Sequence, residues 1–340
     1  MQFGLFLSCQ HPMGEDMTRR LDEHLEQTRV AREAGFDAVF YGEHFLMPPY
    51  QMLHEVTFLA RVAAEAGDMK VGSGILLAAL HNPVELADMV ATLDVITKGR
   101  FIFGVGLGYR EAEFDAFGVP KSQGAKIFEE RLAIIKRLWT EDNVTYEGYG
   151  FKLVNATAPL KPVQKPYPPI WIAANNHKAI QRAARLGHAW YMNPHAKLSI
   201  LQEQWALYKK TLAEYGNPLP EHLPLMKELY IAESDAEAEE IARPFIEQKY
   251  KVYVQHGQDK ALPKTDALDL PYEELKQDRF VLGGPEQVIA SLERYVRELG
   301  VNFLIFRVQW HGMDQDLTLR AIRLVGKHVI PYFKDKYGRD

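Results

Sequence analysis

Short apolar runs alternate along this chain with longer stretches in which apolar residues recur every three or four positions. Gln2–Leu7, Ala38–Tyr41, Lys70–Leu77, Phe101–Val105, Ile170–Ala173, Ala189–Met192, Leu225–Ile231 and Phe303–Val308 read as eight strands. Helical spacing follows each of them. Leu21, Leu25, Thr28 and Ala31 share one face that Gly35 closes, and Pro83 opens a helix over Val84–Thr97. Phe128, Leu132, Ile135 and Trp139 mark another helix, and Ser234-Asp-Ala-Glu237 is a capping box. Val288, Leu292, Tyr295 and Leu299 form a further face that ends at Gly300. Eight strand–helix units in order predict an α/β fold, a (β/α)8 TIM barrel, in preference to a doubly wound sheet.

The alternation is interrupted after strands four and seven, where insertions are expected. Residues 144–154 pattern as a hairpin inside a segment, 141–169, that ends in a run of prolines. Residues 257–283 are polar and irregular, and a loop of that length suits a lid. One domain over residues 1–340 is expected.

Barrel enzymes gather their chemistry at the carboxyl ends of the strands. That rule selects Ser8–His11, Gly42–Phe45, Ala78–Asn82, Gly106–Glu113, Ala174–His177, Asn193–His195 and Gln309–His311. His44 is a base, a hydrogen-bond donor, a ligand or an ordinary loop histidine, and Glu43 reads as an ion-pair partner. The small residues Ala78–Pro83 allow a flat ring to lie close, and rare cis peptides occur in such places. Asn175 and Asn176 either cap the next helix or, with its free amides, grip a phosphate. Gly104, Gly106 and Gly108 lead into the polar residues Tyr109, Arg110, Glu111 and Glu113. They are not a dinucleotide fingerprint: the third glycine of G-x-G-x-x-G falls on Tyr109 or on Glu111.

Composition narrows the class. With 340 residues, 47% of them hydrophobic, the chain can fill a large core. A net charge of −5 without long runs of one sign disfavours nucleic acid and acidic membranes as partners. Cys9 is the only cysteine, which suits a cytoplasmic protein without internal disulfides. The N-terminus reads as a strand rather than a signal peptide, and no apolar run is long enough for a membrane span. The 12 histidines do not fall at ligand spacing, so no catalytic metal is expected.

Several segments together resemble the bacterial luciferase-like family of flavin-dependent oxidoreductases and monooxygenases. They are Glu43-His44, Leu80–Pro83, Leu93-Asp94, Lys98–Phe101, Phe103–Tyr109 with Glu113-Phe114 and Phe117-Gly118, Pro166–Ile172 and Gly283–Val288. They run in family order over almost the whole chain. The resemblance implies a barrel that binds reduced FMN, supplied by an NAD(P)H:flavin reductase, or in some branches a deazaflavin. It implies monooxygenation of a small organic substrate by dioxygen through a peroxyflavin, in a homodimer. Hydride transfer by a deazaflavin dehydrogenase is the alternative, served by a basic groove at Lys178, Arg182 and Arg185; a non-catalytic flavin-binding protein is a second.

By the same resemblance, His44 is the catalytic residue, a general base or peroxide-orienting donor. Tyr109 and Gly106 contact the flavin, and Ala78, Ala79 and Leu80 lie under its ring. Asn175, Asn176 and His177 form the phosphate turn, which overrides simple capping. Phe6, Phe45 and Trp310 line an apolar substrate mouth. Two departures stand out: Phe45 replaces a second histidine of the luciferases, and Leu107 replaces a phosphate-binding arginine, for which Arg110 or Arg307 is a substitute.

Overall fold

The computed structural model describes residues 1–257, 262–263 and 265–338. Nine parallel strands form one curled sheet: β1 (Gln2–Phe6), β2 (Ala38–Tyr41), β3 (Lys70–Ser73), β4 (Phe101–Val105), β5 (Ile170–Ala173), β6 (Ala189–Tyr191), β7 (Pro224–Ile231), β8 (Val281–Gly283) and β9 (Phe303–Arg307). Their order is β6-β5-β4-β3-β2-β1-β9-β7-β8. The two ends of the curl meet, because Met192, just past β6, bridges Leu225 of β7. Met192 N–H donates to Pro224 O at 3.0 Å and Met226 N–H donates to Met192 O at 3.1 Å. A ring of strands buried on both sides explains why each reads as a continuous apolar run.

The inside of the ring is closed by aromatic rings contributed from different strands. Trp171 stacks on Phe40 at 5.8 Å and meets Phe303 edge-on at 5.0 Å, while Tyr191 lies 6.0 Å from Phe40. Side chains of β2, β5, β6 and β9 touch one another only across a barrel interior. This plug forms the solid base below the strand ends.

Helices cover the outside, and their starts follow the capping chemistry in the sequence. Asp16 caps α1 (Met17–Glu33) by accepting from Thr18 N–H at 2.9 Å and Arg19 N–H at 3.3 Å. Continuing along the chain are α2 (Glu55–Ala63), α3 (Pro83–Ile96), α4 (Glu111–Ala116) and α5 (Gly124–Thr140). Asn82 caps α3 and Pro83 is its first residue. Next come α6 (His177–Leu186), α7 (Leu198–Tyr215) and α8 (Asp235–Gln255), the last capped by Ser234 Oγ accepting from Glu237 N–H at 3.2 Å.

Three local expectations change. The third strand stops at Ser73, because the peptide Gly74–Ile75 is cis and the chain pairs with β4 again only at Leu76. The cis bond therefore precedes Ala78–Pro83, where one was expected. Residues 257–283 are not wholly irregular: α9 (Tyr272–Leu275) and the strand β8 lie within them, β8 held by β7 from Leu229↔Val281 to Ile231↔Gly283. Of the expected lid, residues 258–261 and 264 lie outside the described residues. The expected hairpin is present as Val144–Glu147 paired with Lys152–Ala156. Among the described residues no helix is long and apolar enough to cross a membrane, and no three His, Cys, Asp or Glu side chains gather as a metal site.

Candidate active site

A cavity of about 490 Å³ opens at the carboxyl ends of the strands, within the usual size range for small-molecule sites. Its walls bring together residues distant in sequence: Phe6, His44, Gly106, Tyr109, Asn175 and Asn176 all line it. Those are the expected site residues that the fold places side by side.

The floor comes from β3 and β4. Ile75, just past the cis peptide, projects beneath Gly106, and both line the cavity. A Cβ on Gly106 would sit 2.0 Å from Ile75 Cδ1, and one on Gly104 would sit 1.9 Å from the Ser73 carbonyl oxygen. Glycine at these two positions lets β4 lie against the irregular end of β3. Two buried carboxylates hold this turn from behind. Glu55 Oε1 accepts from Gly74 N–H at 3.1 Å, and Glu43 Oε2 accepts from Leu77 N–H at 2.9 Å and pairs with His81 Nε2 at 2.8 Å. Burial, with the Glu43 charge close by, pushes the Glu55 carboxyl well above the usual range.

His44 is positioned by Glu113 from the start of α4. Its Nδ1 lies 2.9 Å from Glu113 Oε1, which also accepts from Phe45 N–H at 2.9 Å and from Arg110 Nη1 at 3.3 Å. Arg110 and Glu113 stand one helical turn apart. The same guanidinium donates to Phe45 O at 2.6 Å and Leu46 O at 3.0 Å, so the loop after β2 is clamped on both sides. Burial alone would raise the Glu113 carboxyl. The His44 hydrogen bond, the Phe45 amide and the Arg110 charge outweigh it and hold Glu113 below the usual range. A carboxylate on Nδ1 fixes the Nδ1–H tautomer, leaving Nε2 as the nitrogen free for chemistry. Tyr109 sits edge-on to His44 at 5.7 Å, and burial pushes its hydroxyl far up, so it stays protonated.

Asn176 caps α6 by accepting from Ala179 N–H at 3.0 Å, and Asn175 Oδ1 accepts from Asn193 Nδ2 at 2.8 Å. Ala179 and Lys121 also line the cavity. His195, just past β6, packs edge-on against Tyr253 at 5.4 Å, and Tyr253 and Arg307 line the cavity further round the ring. His256 Nε2, just beyond α8, lies 3.0 Å from Pro48 O and ties that helix to the loop after β2 across the rim.

Six expected site residues lie elsewhere. Ala78, Ala79 and Leu80 are buried away from the cavity, and Gly74, Ile75 and Leu77 take the place expected for them. The reason is that the chain crosses the floor at Ile75 and leaves it once Leu76 has paired with β4. Arg131 Nη1 then donates to Ala79 O from α5. His177 is exposed as the first residue of α6, beyond the capping turn. Phe45 packs on Phe117 at 4.7 Å and faces a separate cavity with Met13 and Met47, because Glu113 and Arg110 take both of its backbone groups. Trp310 is core: its Nε1 donates to the buried Glu228, and its ring lies 6.1 Å from Tyr230. Both arginines suggested for the phosphate line the cavity, but Arg110 is spent on the loop after β2, and Arg307 lies on β9, three places from β5 round the ring.

Glu113 is the residue that sequence reasoning named but gave no role. Its signal was present: an acidic residue three positions after Arg110, at the start of a helix that opens at a strand end.

Comparison with known proteins bears on the family and the fold. The family model described as luciferase-like monooxygenase matches residues 1–302. The oxygenase component of the flavin-dependent trigonelline monooxygenase of Acinetobacter baylyi is 24% identical, over 98% of this chain and 96% of its own. The F420-dependent glucose-6-phosphate dehydrogenase of Amycolatopsis mediterranei is 25% identical, over 85% of this chain and 89% of its own. In structure, the monooxygenase RslO1 from Streptomyces bottropensis superposes with a TM-score of 0.87 at 24% identity, covering 98% of this chain and 100% of that one.

Proposed function

Because the chain belongs to the luciferase-like monooxygenase family, we propose that it is the oxygenase component of a two-component, FMN-dependent monooxygenase acting on a small organic molecule. The observation that carries this reading is one cavity that joins a capped helix N-terminus, a floor cleared of side chains at Gly106, and the His44–Glu113 pair. Reduced FMN, when bound, supplies the activation of dioxygen.

The residues fit that group. Asn176, the first amides of α6 and Lys121 hold its phosphate. Ile75 and Gly106 leave a flat apolar bed for its ring system. Phe6, Ile75, Leu77 and Met226 keep water from the reacting centre, and the end of α8, tied to Pro48, covers the rim. His44 takes up or returns a proton at Nε2, and Glu113 holds the ring in place and stabilises its cationic form. Tyr109, kept neutral by burial, offers a hydroxyl to the same space. The trigonelline relative is itself an oxygenase component, which supports a separate NAD(P)H:flavin reductase as partner.

FMN is favoured over a deazaflavin by one feature. Two of the three cations of the basic groove that an acidic cofactor tail needs are tied to one carboxylate, Arg182 Nε donating to Glu129 at 2.8 Å and Arg185 Nη2 at 3.0 Å. Stopped-flow mixing of the protein and reduced FMN with oxygen tests the proposal. Oxidation in separate phases, unlike that of free flavin and altered in His44→Ala, is expected; a time course identical to free flavin refutes it.

A further inference from the structure

The wall further round the ring from Asn176 holds charges that the binding of FMN does not use. Glu228 on β7 is fully buried, and both of its oxygens are occupied: Lys249 Nζ pairs with Oε1 and Trp310 Nε1 donates to Oε2. Arg307 stands beside this pair with its Nη1 3.7 Å from Glu228 Oε1, and it is only 7% exposed. Among the described residues its one hydrogen bond to another side chain is Nη1 to the Tyr253 hydroxyl, at 3.2 Å. Its Nε is buried with no partner among the described residues.

Two cations therefore share one carboxylate in a place from which water is largely excluded. A guanidinium is a planar fork of donors, and a buried donor without an acceptor is costly. Burial, with the Arg307 charge next to it, pulls the Lys249 ammonium down to about 7. An arriving anion would supply the acceptor that the guanidinium lacks. The fork is accessible: Arg307, Phe6, Met226 and Tyr253 line the cavity, and the guanidinium lies 4.5 Å over the Phe6 ring.

We propose that Arg307, backed by Lys249, is a subsite for a carboxylate on the organic substrate, whose apolar part lies against Phe6 and Met226. The substrate class is then a small organic acid. This rests on reading the cavity as a shared flavin and substrate site. The phosphate of FMN is assigned to the wall at Asn176, so the two anions do not compete.

Calorimetric titration with benzoate and with its uncharged analogue benzamide tests the subsite, on flavin-free protein and again with FMN present. Benzoate should bind both forms at least about tenfold more tightly than benzamide, as a charge-assisted hydrogen bond implies. Arg307→Met should lose that preference and Arg307→Lys should keep part of it, with thermal melts confirming that each variant is folded. If Arg307→Met does not fold, the benzoate-to-benzamide ratio of the unaltered protein decides. Equal binding of the two probes overturns the proposal, as does unchanged benzoate binding by folded Arg307→Met. Displacement of benzoate by FMN also overturns it, because the cluster would then hold the cofactor. Failure of FMN to bind, with benzoate preference intact, refutes the flavin reading and leaves the anion subsite standing.

Discussion

Replacing Glu113 by glutamine keeps the shape of the side chain and removes one buried negative charge. The carboxylate accepts from His44, Phe45 and Arg110 through a single oxygen, at 2.9, 2.9 and 3.3 Å. The amide oxygen of glutamine preserves most of those contacts, so the perturbation is chiefly electrostatic. At 3.3 Å the Arg110 pair is worth about 5 kcal/mol of gross Coulomb attraction for an effective dielectric constant of about 20. The desolvation of Glu113, now avoided, offsets part of this. Removing one partner of a buried pair costs about 3–5 kcal/mol, and the retained hydrogen bonds bring Glu113→Gln to or below the bottom of that range, at about 2–3 kcal/mol. Urea unfolding at pH 7 measures it. Glu111→Gln, on the exposed side of the same helix, is the control and should change stability by less than about 0.5 kcal/mol. The pH dependence adds a second check with a definite sign. Glu113 is held below its ordinary value of 4.5, so its stabilisation is complete above pH 4.5 and is lost as pH falls through the folded-state value. The gap between the two proteins should therefore stay constant from neutral pH down to mildly acidic conditions and close only in stronger acid. A loss no larger than that of Glu111→Gln, or a gap that widens on acidification, would refute the assignment of Glu113 as the clamp on His44.

Four further substitutions probe other parts of the structure. Gly106→Ala meets only the tip of Ile75, a flexible side chain, so the protein should fold and bind FMN at least about tenfold more weakly, measured by flavin fluorescence. Gly104→Ala meets the Ser73 backbone instead and should yield little folded protein by circular dichroism. Asn176→Ala should cost about 1 kcal/mol in urea unfolding as a lost N-cap, and should weaken FMN but not riboflavin. Burial, with His11 beside it, pulls His24 down to about 3, so its share of stability is present above an unfolded value of 6.5 and is lost as pH falls toward 3. Compared with His24→Gln, the unaltered protein should lose about 1.4 kcal/mol more per pH unit between pH 6.5 and pH 4, read from urea midpoints.

The strands were legible because a sheet covered on both faces demands unbroken apolar runs, and all eight predicted strands occur within a residue or two except the third. That one failed at Gly74–Ile75, since the sequence Gly-Ser-Gly-Ile carries no mark of a cis peptide. The same event displaced the floor of the cavity from Ala78–Leu80 to Gly74–Leu77. Helix starts at Asn82-Pro83, Asn176 and Ser234 were readable from capping chemistry, which is local. The clamp of His44 was not, because it joins residues 44 and 113 across two strands, and no periodicity reports such a contact. Phe45 and Trp310 show the limit for aromatic residues: strand position brought both near the rim, but hydrogen bonds from Glu113, Arg110 and Glu228 decided which way they face. Arg307 was picked out for its charge, but its neighbour Glu228 was not foreseen, since strand order round the ring, not sequence position, brings the two together.

An anaerobic titration of the flavin-free protein with reduced FMN, set against reduced riboflavin and the deazaflavin F420, bears most directly on the cavity as a flavin site. Saturation at one FMN per chain, at least about tenfold tighter than riboflavin because of the phosphate grip at Asn176, is the expected result. No saturable uptake of reduced FMN, or tighter uptake of F420, would contradict it.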